Sequence, residues 1–514
     1  MAKITKTRFL SASGEKGIRS SAAIYGLTFI LTLVLFFAFG TNNDTLNDDG
    51  INYIYAAHAL ADGDLEQAKT YRPEVLFYHQ ITLIASLTGL DLHPSAKLLS
   101  LFWQIMLAAA FMAIIRRFDD STQSQIIALA VFFSMSSINH LRPDIIRGFG
   151  FWALQLWAIW AGLRFIQSKL WRFAVLWLGL SSLAIVYRIE SIAYLLLVPL
   201  FTLLAISFTG QLSSNKLLKM SSLLVIFSGA IWLFLWPEHK QLPSGTPLLA
   251  QLQPELEAFK RATINFDQLK TDISAVMPTQ WAQRSVNDLL IGGFIFHLLV
   301  ILLKTTNTPL IALSLYRGHI KRPFLRSPQH TLLANYILIG ILIGLMSVYN
   351  KYFLSARYIM LTAILICVPI TFVLSQSYTR FMASRQVSAR AWRSALFILP
   401  LLACLYPLSR QNDDKLYIRE AGEWVKTQLK NEQMIYFNTQ KVAFYSADYT
   451  NVSFKKQYNN VQDLIHEGYH YAVLYEVKGE QQPLPRSLQK HRLKTFQNSR
   501  GRSVSIYKLP APDS

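Results

Sequence analysis

Two adjacent carboxylates, Asp48 and Asp49, stand in the run Asn47-Asp48-Asp49-Gly50-Ile51-Asn52-Tyr53. Like charges this close repel, so the pair calls for a nearby cation, a bound metal or a shared proton. Such a pair suits a general base, or a ligand for a divalent cation such as Mg or Mn. A plainer role is also open: Asp and Asn favour the first turn of a helix, and the apolar stretch 51–60 follows at once. More charges recur in Tyr71-Arg72-Pro73-Glu74 and in Asn139-His140-Leu141-Arg142-Pro143-Asp144 with Arg147. Pro73 and Pro143 push the residue before them out of helical geometry, so each motif is a shaped turn at a helix mouth. Arg188 and Glu190, two residues apart, would diverge on a helix and meet different partners; a structural ion pair and a role in a site are both open. Lys351 and Arg357 are the only charges in 350–358. They suit a phosphate, or snorkelling toward lipid headgroups.

Other chemistries find no support. No Walker-type glycine loop or CxxC pair occurs. His58, His79, His93 and His140 lie near the same charges, but no spacing marks them as ligands, and interfacial or structural places suit them better. Cys367 and Cys404, the only cysteines, each sit inside an apolar run where no pairing can be argued.

The elements that must position these residues follow from composition. Of 514 residues 52% are apolar or aromatic and 16% charged, yet the formal net charge is +20. A nucleic-acid binder would show the basicity without long apolar runs, and a disordered chain would lack the apolar half. Segments near the ~20 residues needed to cross a bilayer recur at 21–40, 95–115, 122–138, 149–166, 172–187, 191–208, 220–236, 289–303, 331–349, 358–376 and 394–409. The expected fold is mainly α, a polytopic bundle of about eleven transmembrane helices. The first segment reads as an uncleaved span rather than a signal peptide.

Lys and Arg set the orientation. The leader 1–20 is basic, which places the N-terminus in the cytoplasm. Alternating from there, Arg116-Arg117, the group Arg164, Lys169 and Arg172, the pair Lys216 and Lys219, the stretch Lys304 to Arg326, and the stretch Arg380 to Arg393 all fall on the cytoplasmic side. With the leader these segments hold 21 basic residues and three acidic ones, a net of +18. Nearly all of the +20 is therefore topological. The same alternation requires 75–90 to be an interfacial or re-entrant helix, because a full span there would invert every later loop.

Three segments then lie outside. Residues 41–94 are acidic. Residues 237–288 open with Pro237, Pro243 and Pro247 and continue as an amphipathic helix around 255–270. The tail 410–514 reads as a small α/β domain, with helices at 417–429 and 461–467 and strands at 434–438, 471–475 and 503–509. The domain plan is thus a leader 1–20, a membrane domain 21–409 and a periplasmic domain 410–514.

The first loop with Asp48-Asp49, followed by Tyr53, Ala56-Ala57 and the Arg72-Pro73 turn, resembles the GT-C glycosyltransferases. The nearest branch is that of protein O-mannosyltransferases and lipid A aminoarabinose transferases (family 39 type). Arg142-Pro143-Asp144 with Arg147, Tyr187-Arg188-Ile189-Glu190 and Ala356-Arg357-Tyr358 fall where that branch carries charged signatures. The tail from Tyr417-Ile418-Arg419-Glu420 to Trp424 is similar to the soluble domain of bacterial members.

The resemblance implies a multi-pass enzyme of the bacterial inner membrane. It would move a sugar from a polyprenyl-phosphate-linked donor to a hydroxyl acceptor, with inversion, on the periplasmic face. The acceptor would be a cell-surface glycan, lipid A or another membrane lipid, or a protein. Asp49 or Asp48 would match the acidic position as base, and Arg357, Lys351 and Arg188 would hold the leaving phosphate. Tyr53, Arg72, Glu74, Asp144, Arg147 and Glu190 complete the expected substrate-binding set. No cofactor is certain, and a divalent cation on Asp48 and Asp49 is an open alternative. Departures exist: members often carry Asp-Glu where this chain has Asp48-Asp49, and some place an acid where it has Gly148. The Trp-Trp-Asp signature of oligosaccharyltransferases is missing. The alternative class is a secondary transporter or lipid-linked-glycan flippase, which would show inverted repeats and midplane charges; neither is visible in the sequence.

Overall fold

The computed structural model describes residues 6–41, 45–208, 248–317, 327–382, 387–409, 413–430, 434–446, 461–476 and 490–510. The chain forms two compact units. One comprises Met1–Thr32, Trp103–Asn139 and Gly148–Leu405, the other Leu33–Phe102, His140–Arg147 and Tyr406–Ser514.

In the first unit, or entering it, run α1 (Lys6–Thr41), α5 (Leu92–Phe118), α6 (Thr122–Phe133), α7 (Ser136–Leu141), α8 (Gly148–Ser168), α9 (Trp171–Tyr187) and α10 (Ser191–Phe208). After them come α11 (Leu248–Val276), α12 (Gln280–Arg284), α13 (Val286–Thr305), α14 (Thr308–Arg317), α15 (Pro328–Lys351), α16 (Ala356–Met382) and α17 (Val387–Ser409). Among the described residues, seven helical stretches are long and apolar enough to cross a membrane. They are Ala22–Gly40, Leu92–Phe118, Gly148–Ser168, Val286–Thr305, Pro328–Lys351, Ala356–Met382 and Val387–Tyr406. Each coincides with an expected span. Thr122–Phe133, Trp171–Tyr187 and Ser191–Leu204 are shorter apolar helices, and the span expected at 220–236 lies outside the described residues.

Helix α16 is enclosed: Ile359, Met360, Ile364, Cys367, Val368 and Leu374 are buried against α15, α13, α14 and α6. Helices α13 and α17 instead leave Leu289, Phe296, Leu299, Phe397, Leu401 and Leu402 exposed. Exposed apolar surface on that scale needs a partner other than water, and a bilayer supplies it. The protein is a multi-pass membrane protein.

Two local expectations are corrected here. The stretch 122–138 is not one helix, because α6 stops at Phe133. Asn307 holds the break open, its Nδ2 donating to the Ser134 carbonyl at 3.2 Å and to Oγ at 2.6 Å. The stretch after Lys304, read as loop, contains α14, whose start is capped by Asn307 Oδ1 accepting from the Leu310 amide at 3.3 Å. One Asn side chain thus ends one helix and starts another.

The second unit is built on α2 (Asp48–Ala61), α3 (Leu65–Tyr71), α4 (Val75–Thr88) and the tail. Helix α4 has 14 residues, about 21 Å at 1.5 Å per residue. It is too short for a ~30 Å core, as the charge alternation requires. In the tail, α18 (Asp413–Gln428), β1 (Ile435–Phe437), α19 (Gln440–Ser446), α20 (Val461–His466), β2 (Tyr471–Glu476), β3 (Arg492–Gln497) and β4 (Ser503–Lys508) form a four-stranded sheet of order β1-β2-β4-β3. β1 pairs β2 in parallel, while β4 is antiparallel to β2 and β3. Tyr417, Ile418, Ala421 and Val425 of α18 bury against Val473, Val504 and Ile506 on one face. Leu464 and Ile465 of α20 bury with Tyr436, Ala472, Leu474 and Tyr507 on the other. This is the α/β tail expected, with α19 and β3 added. The segment is amphipathic where expected in α11 as well, while Pro237, Pro243 and Pro247 lie outside the described residues.

Candidate functional site

In the second unit the chain turns into α2 at Asn47, whose extended backbone (φ −74°, ψ 154°) marks the N-cap. The Asn47 side chain does not cap the helix. Its Nδ2 donates to the Ile145 carbonyl at 3.2 Å, and its Oδ1 accepts from the Ile145 amide at 3.0 Å. The 140–147 turn is thereby stitched to the start of α2. Gly50 permits this closeness, because a Cβ there would stand 2.7 Å from Asn47 Oδ1 and 3.0 Å from Ile145 Cβ.

Asp48 and Asp49 occupy the first helical turn, where the helix dipole favours negative charge. Neighbours on a helix point about 100° apart, so each finds its own cation. Asp49 pairs with the Arg72 guanidinium, and Asp48 Oδ2 lies 3.2 Å from Lys441 Nζ. The Asx-rich helix start is therefore present, and its two acids also form ion pairs. Asp49 is the better shielded, 34% exposed against 64% for Asp48.

Arg72 is extended (φ −149°, ψ 122°), as Pro73 behind it requires. Its guanidinium lies 4.9 Å over the ring of Tyr53, which follows Asp49 by one helical turn and so shares its face. Tyr53 is buried, with Phe77 edge-on at 4.6 Å. Burial pushes the Tyr53 phenol well above its ordinary range, while Arg147, Glu74, Arg72 and Asp49 all act on it. Burial alone would lower Arg72, but Tyr53, Asp49 and Glu74 raise it further, so its charge is fixed. Arg147 closes the group with a 2.9 Å pair to Glu74.

The turn bearing Asp144 is held through its backbone. Lys97 Nζ donates to the Pro143 carbonyl at 2.7 Å, and Ser100 Oγ donates to the Asp144 carbonyl at 3.2 Å. The Asp144 carboxylate acts on the Lys97 charge. Of the expected set, Asp48, Asp49, Tyr53, Arg72, Glu74 and Arg147 therefore share one network, with Asp144 on the turn beside it. Lys441, Gln440 and Lys97 were not expected. Gln440 Nε2 donates to Asn52 Oδ1 and the Leu46 amide donates to the Tyr445 hydroxyl at 2.8 Å, so α19 of the tail grips α2 beside the acids.

In the first unit, Arg188 and Glu190 do not diverge. Residues 188–190 form a turn rather than helix, with Arg188 extended (φ −153°, ψ 121°). That geometry swings both side chains to one side, and Arg188 NH2 meets Glu190 Oε1 at 2.8 Å. Arg188 NH1 also donates to the Arg357 carbonyl at 3.4 Å. Burial alone would lower Arg188, but Glu190, Tyr358 and Tyr194 raise it above its ordinary value. Tyr358 lies between two cations, with the Arg188 guanidinium 4.6 Å and Lys351 Nζ 4.7 Å from its ring centroid. Arg188, Glu190, Lys351, Arg357 and Tyr358 thus form a second cluster. Among the described residues, no group of three or more His, Cys, Asp and Glu side chains is placed to hold a metal ion. The cation expected beside Asp48 and Asp49 is supplied by Arg72 and Lys441.

No protein-family model matches the chain, and no curated protein sequence matches it. Solved structures do. ArnT from Cupriavidus metallidurans in the apo state is 11% identical, with a TM-score of 0.53, over 94% of this chain and 98% of its own. The same protein bound to undecaprenyl phosphate gives 11%, 0.53, 93% and 97%. The Archaeoglobus fulgidus oligosaccharyltransferase in complex with Zn and sulfate is 12% identical, with a TM-score of 0.51, over 88% of this chain and 67% of its own. The chain shares the fold of these proteins, as its resemblance to the GT-C glycosyltransferases led one to expect. Near-complete coverage of ArnT in both directions includes the soluble tail, so membrane bundle and α/β domain together make up the shared architecture. At these identities the likeness is one of fold, and the chemistry must come from the residues themselves.

Proposed function

We propose that this protein is a membrane glycosyltransferase that takes a sugar from a polyprenyl-phosphate donor and places it on a hydroxyl acceptor, with inversion. The observation that carries this reading is the network on α2: two carboxylates in a helix's first turn, each paired with a cation, beside a buried tyrosine. The GT-C fold, and the undecaprenyl phosphate bound by ArnT of the same fold, support the donor class.

Asp49 takes the proton of the acceptor hydroxyl as the acceptor oxygen bonds to the anomeric carbon. The bond from that carbon to the phosphate oxygen breaks, and polyprenyl phosphate leaves with the electron pair. Phosphate is a good leaving group that needs charge stabilisation more than a strong acid. Arg357 and Lys351 supply that charge, and Arg188 holds them through the Arg357 carbonyl and the Tyr358 ring. Asp48, more exposed, is the second acid. Arg72, Glu74, Arg147 and Asp144 shape the acceptor side. The enzyme sits in the bacterial inner membrane with its N-terminus cytoplasmic and its tail periplasmic. Its acceptor is a cell-surface glycan, lipid A or a protein.

The test is mass spectrometry of cell-surface glycans, lipid A and glycoproteins from a deletion strain, paired with the purified protein and a synthetic polyprenyl-phosphate sugar. The expected result is one missing modification and release of polyprenyl phosphate. An unchanged surface with no release overturns the proposal. Movement of the intact lipid-linked sugar across a vesicle without release would make the protein a flippase instead.

A further inference from the structure

Four arginines of the first unit gather at neighbouring helix ends. Arg116 and Arg117 close α5, Arg164 lies in the last turns of α8, and Arg172 opens α9. The link between α8 and α9 is short because Lys169 takes the left-handed conformation (φ 60°) and folds one helix back on the other. Gln167 ties the group across helices. Its Oε1 accepts from Arg117 NH1 at 3.4 Å, and its Nε2 donates to the Arg117 carbonyl at 3.1 Å. Aromatic shelves fix the rest. The Arg164 and Arg172 guanidinium groups lie 5.0 and 5.1 Å from the same Phe173 ring, Arg164 is 6.0 Å from Trp160, and Arg116 is 5.7 Å from Tyr25.

Among the described residues none of the four forms an ion pair, and Asp120, which acts on Arg117 without pairing with it, is exposed. The Nε atoms of Arg116, Arg117 and Arg164 are shielded from solvent and meet no hydrogen-bond acceptor among the described residues. Orientation alone does not require this. Charges that only set topology would splay into water and away from one another, since like charges repel and a buried donor left unmade costs free energy. Convergence with fixed guanidinium groups calls for an anion with several oxygens, which is the geometry of phosphate.

The height of the cluster identifies its source. Leu170 and Trp171, beside it, are 44% and 75% exposed. Exposed tryptophan flanking a span marks the membrane–water boundary, where basic pockets between helices take acidic headgroups. We propose that Arg116, Arg117, Arg164 and Arg172 form a binding site for the phosphate headgroup of an anionic phospholipid. This site uses none of the residues of the two clusters described above, and the proposal holds whether or not the protein transfers sugar.

The test is native mass spectrometry of the full chain in detergent, with phosphatidylglycerol or phosphatidylcholine added. Retention of phosphatidylglycerol over phosphatidylcholine is expected, falling about 30-fold in the double variant Arg117→Gln, Arg164→Gln, as two interfacial charges would give. Lys304→Gln, which removes a charge outside the cluster, should leave retention within about twofold. Equal retention of the two lipids, or an equal loss in Lys304→Gln, overturns the site. Arginine labelling with phenylglyoxal, mapped by peptide mass in the unaltered protein, needs no variant. Arg117 and Arg164 should be protected in phosphatidylglycerol vesicles and labelled in phosphatidylcholine vesicles. Equal labelling in both, or equal protection by inorganic phosphate alone, overturns the lipid assignment.

Discussion

At the scale of single residues, what distinguishes Asp49 from Asp48 is its partner. Arg72 is pinned by Pro73 on one side and the Tyr53 ring on the other, so the cation beside Asp49 cannot drift. Asp49→Asn is therefore expected to lower transfer by roughly 10²- to 10⁴-fold, the range for loss of a positioned base, with the protein still present and folded in the membrane. Asp48→Asn should cost less. Full activity in both variants, measured as polyprenyl phosphate release, would remove the base assignment. Arg357→Ala is expected to weaken donor binding about 10- to 100-fold, as loss of a charge-assisted contact would. An unchanged donor Kd would count against its phosphate role. The acid pair was legible in the sequence because adjacent carboxylates before an apolar run are conspicuous. The Arg188–Glu190 pair was not, because its geometry depends on residues 188–190 leaving the helix, which neither side chain encodes.

At the scale of elements, the notable device is α19, a two-turn helix of the tail that holds α2 by Lys441, Gln440 and Tyr445. Phe444 adds ring contacts to Tyr55 at 6.0 Å and His93 at 6.4 Å. Lys441→Met is expected to reduce transfer about tenfold, the size of one ~1.4 kcal/mol charged contact, with Lys441→Arg restoring it. Wild-type kcat and KM in the methionine variant would show that α19 only covers the loop. Helix α2 also carries a pH dependence. Burial lowers His58 below its ordinary 6.5, against the opposing pull of Asp62 and Asp91. The unfolded chain then takes a proton that the folded one resists, so stability is full above about pH 6.5 and falls as pH drops through it. Thermal unfolding between pH 7.5 and 5 should show that loss, and His58→Gln should flatten it. An equal loss in the variant would place the titration elsewhere. Strand β3 escaped the sequence reading because it is an exposed edge carrying Arg492 and Lys494, so no alternation marks it. Helix α19 escaped because seven residues are too few for a periodicity.

At the scale of the whole molecule, the charge alternation makes a prediction that fusions can check. A cytoplasmic reporter joined after Asp120 should be active, and one joined after Ser409 should be active only outside the cytoplasm. The reverse result would invert every loop. The sequence by itself determined the membrane bundle, its long spans, the short helix at 75–90 and the α/β tail. Each rests on hydropathy and charge summed over many residues, and such sums survive any detail of packing. It also marked the charged residues worth attention, since ions are rare in an apolar chain. Tertiary structure alone decided who partners whom. Lys441 stands 393 positions from Asp48, and no local pattern encodes a contact at that separation. The same holds for the arginines that gather at the ends of α5, α8 and α9. Their number is a property of the chain, while their convergence is a property of the fold.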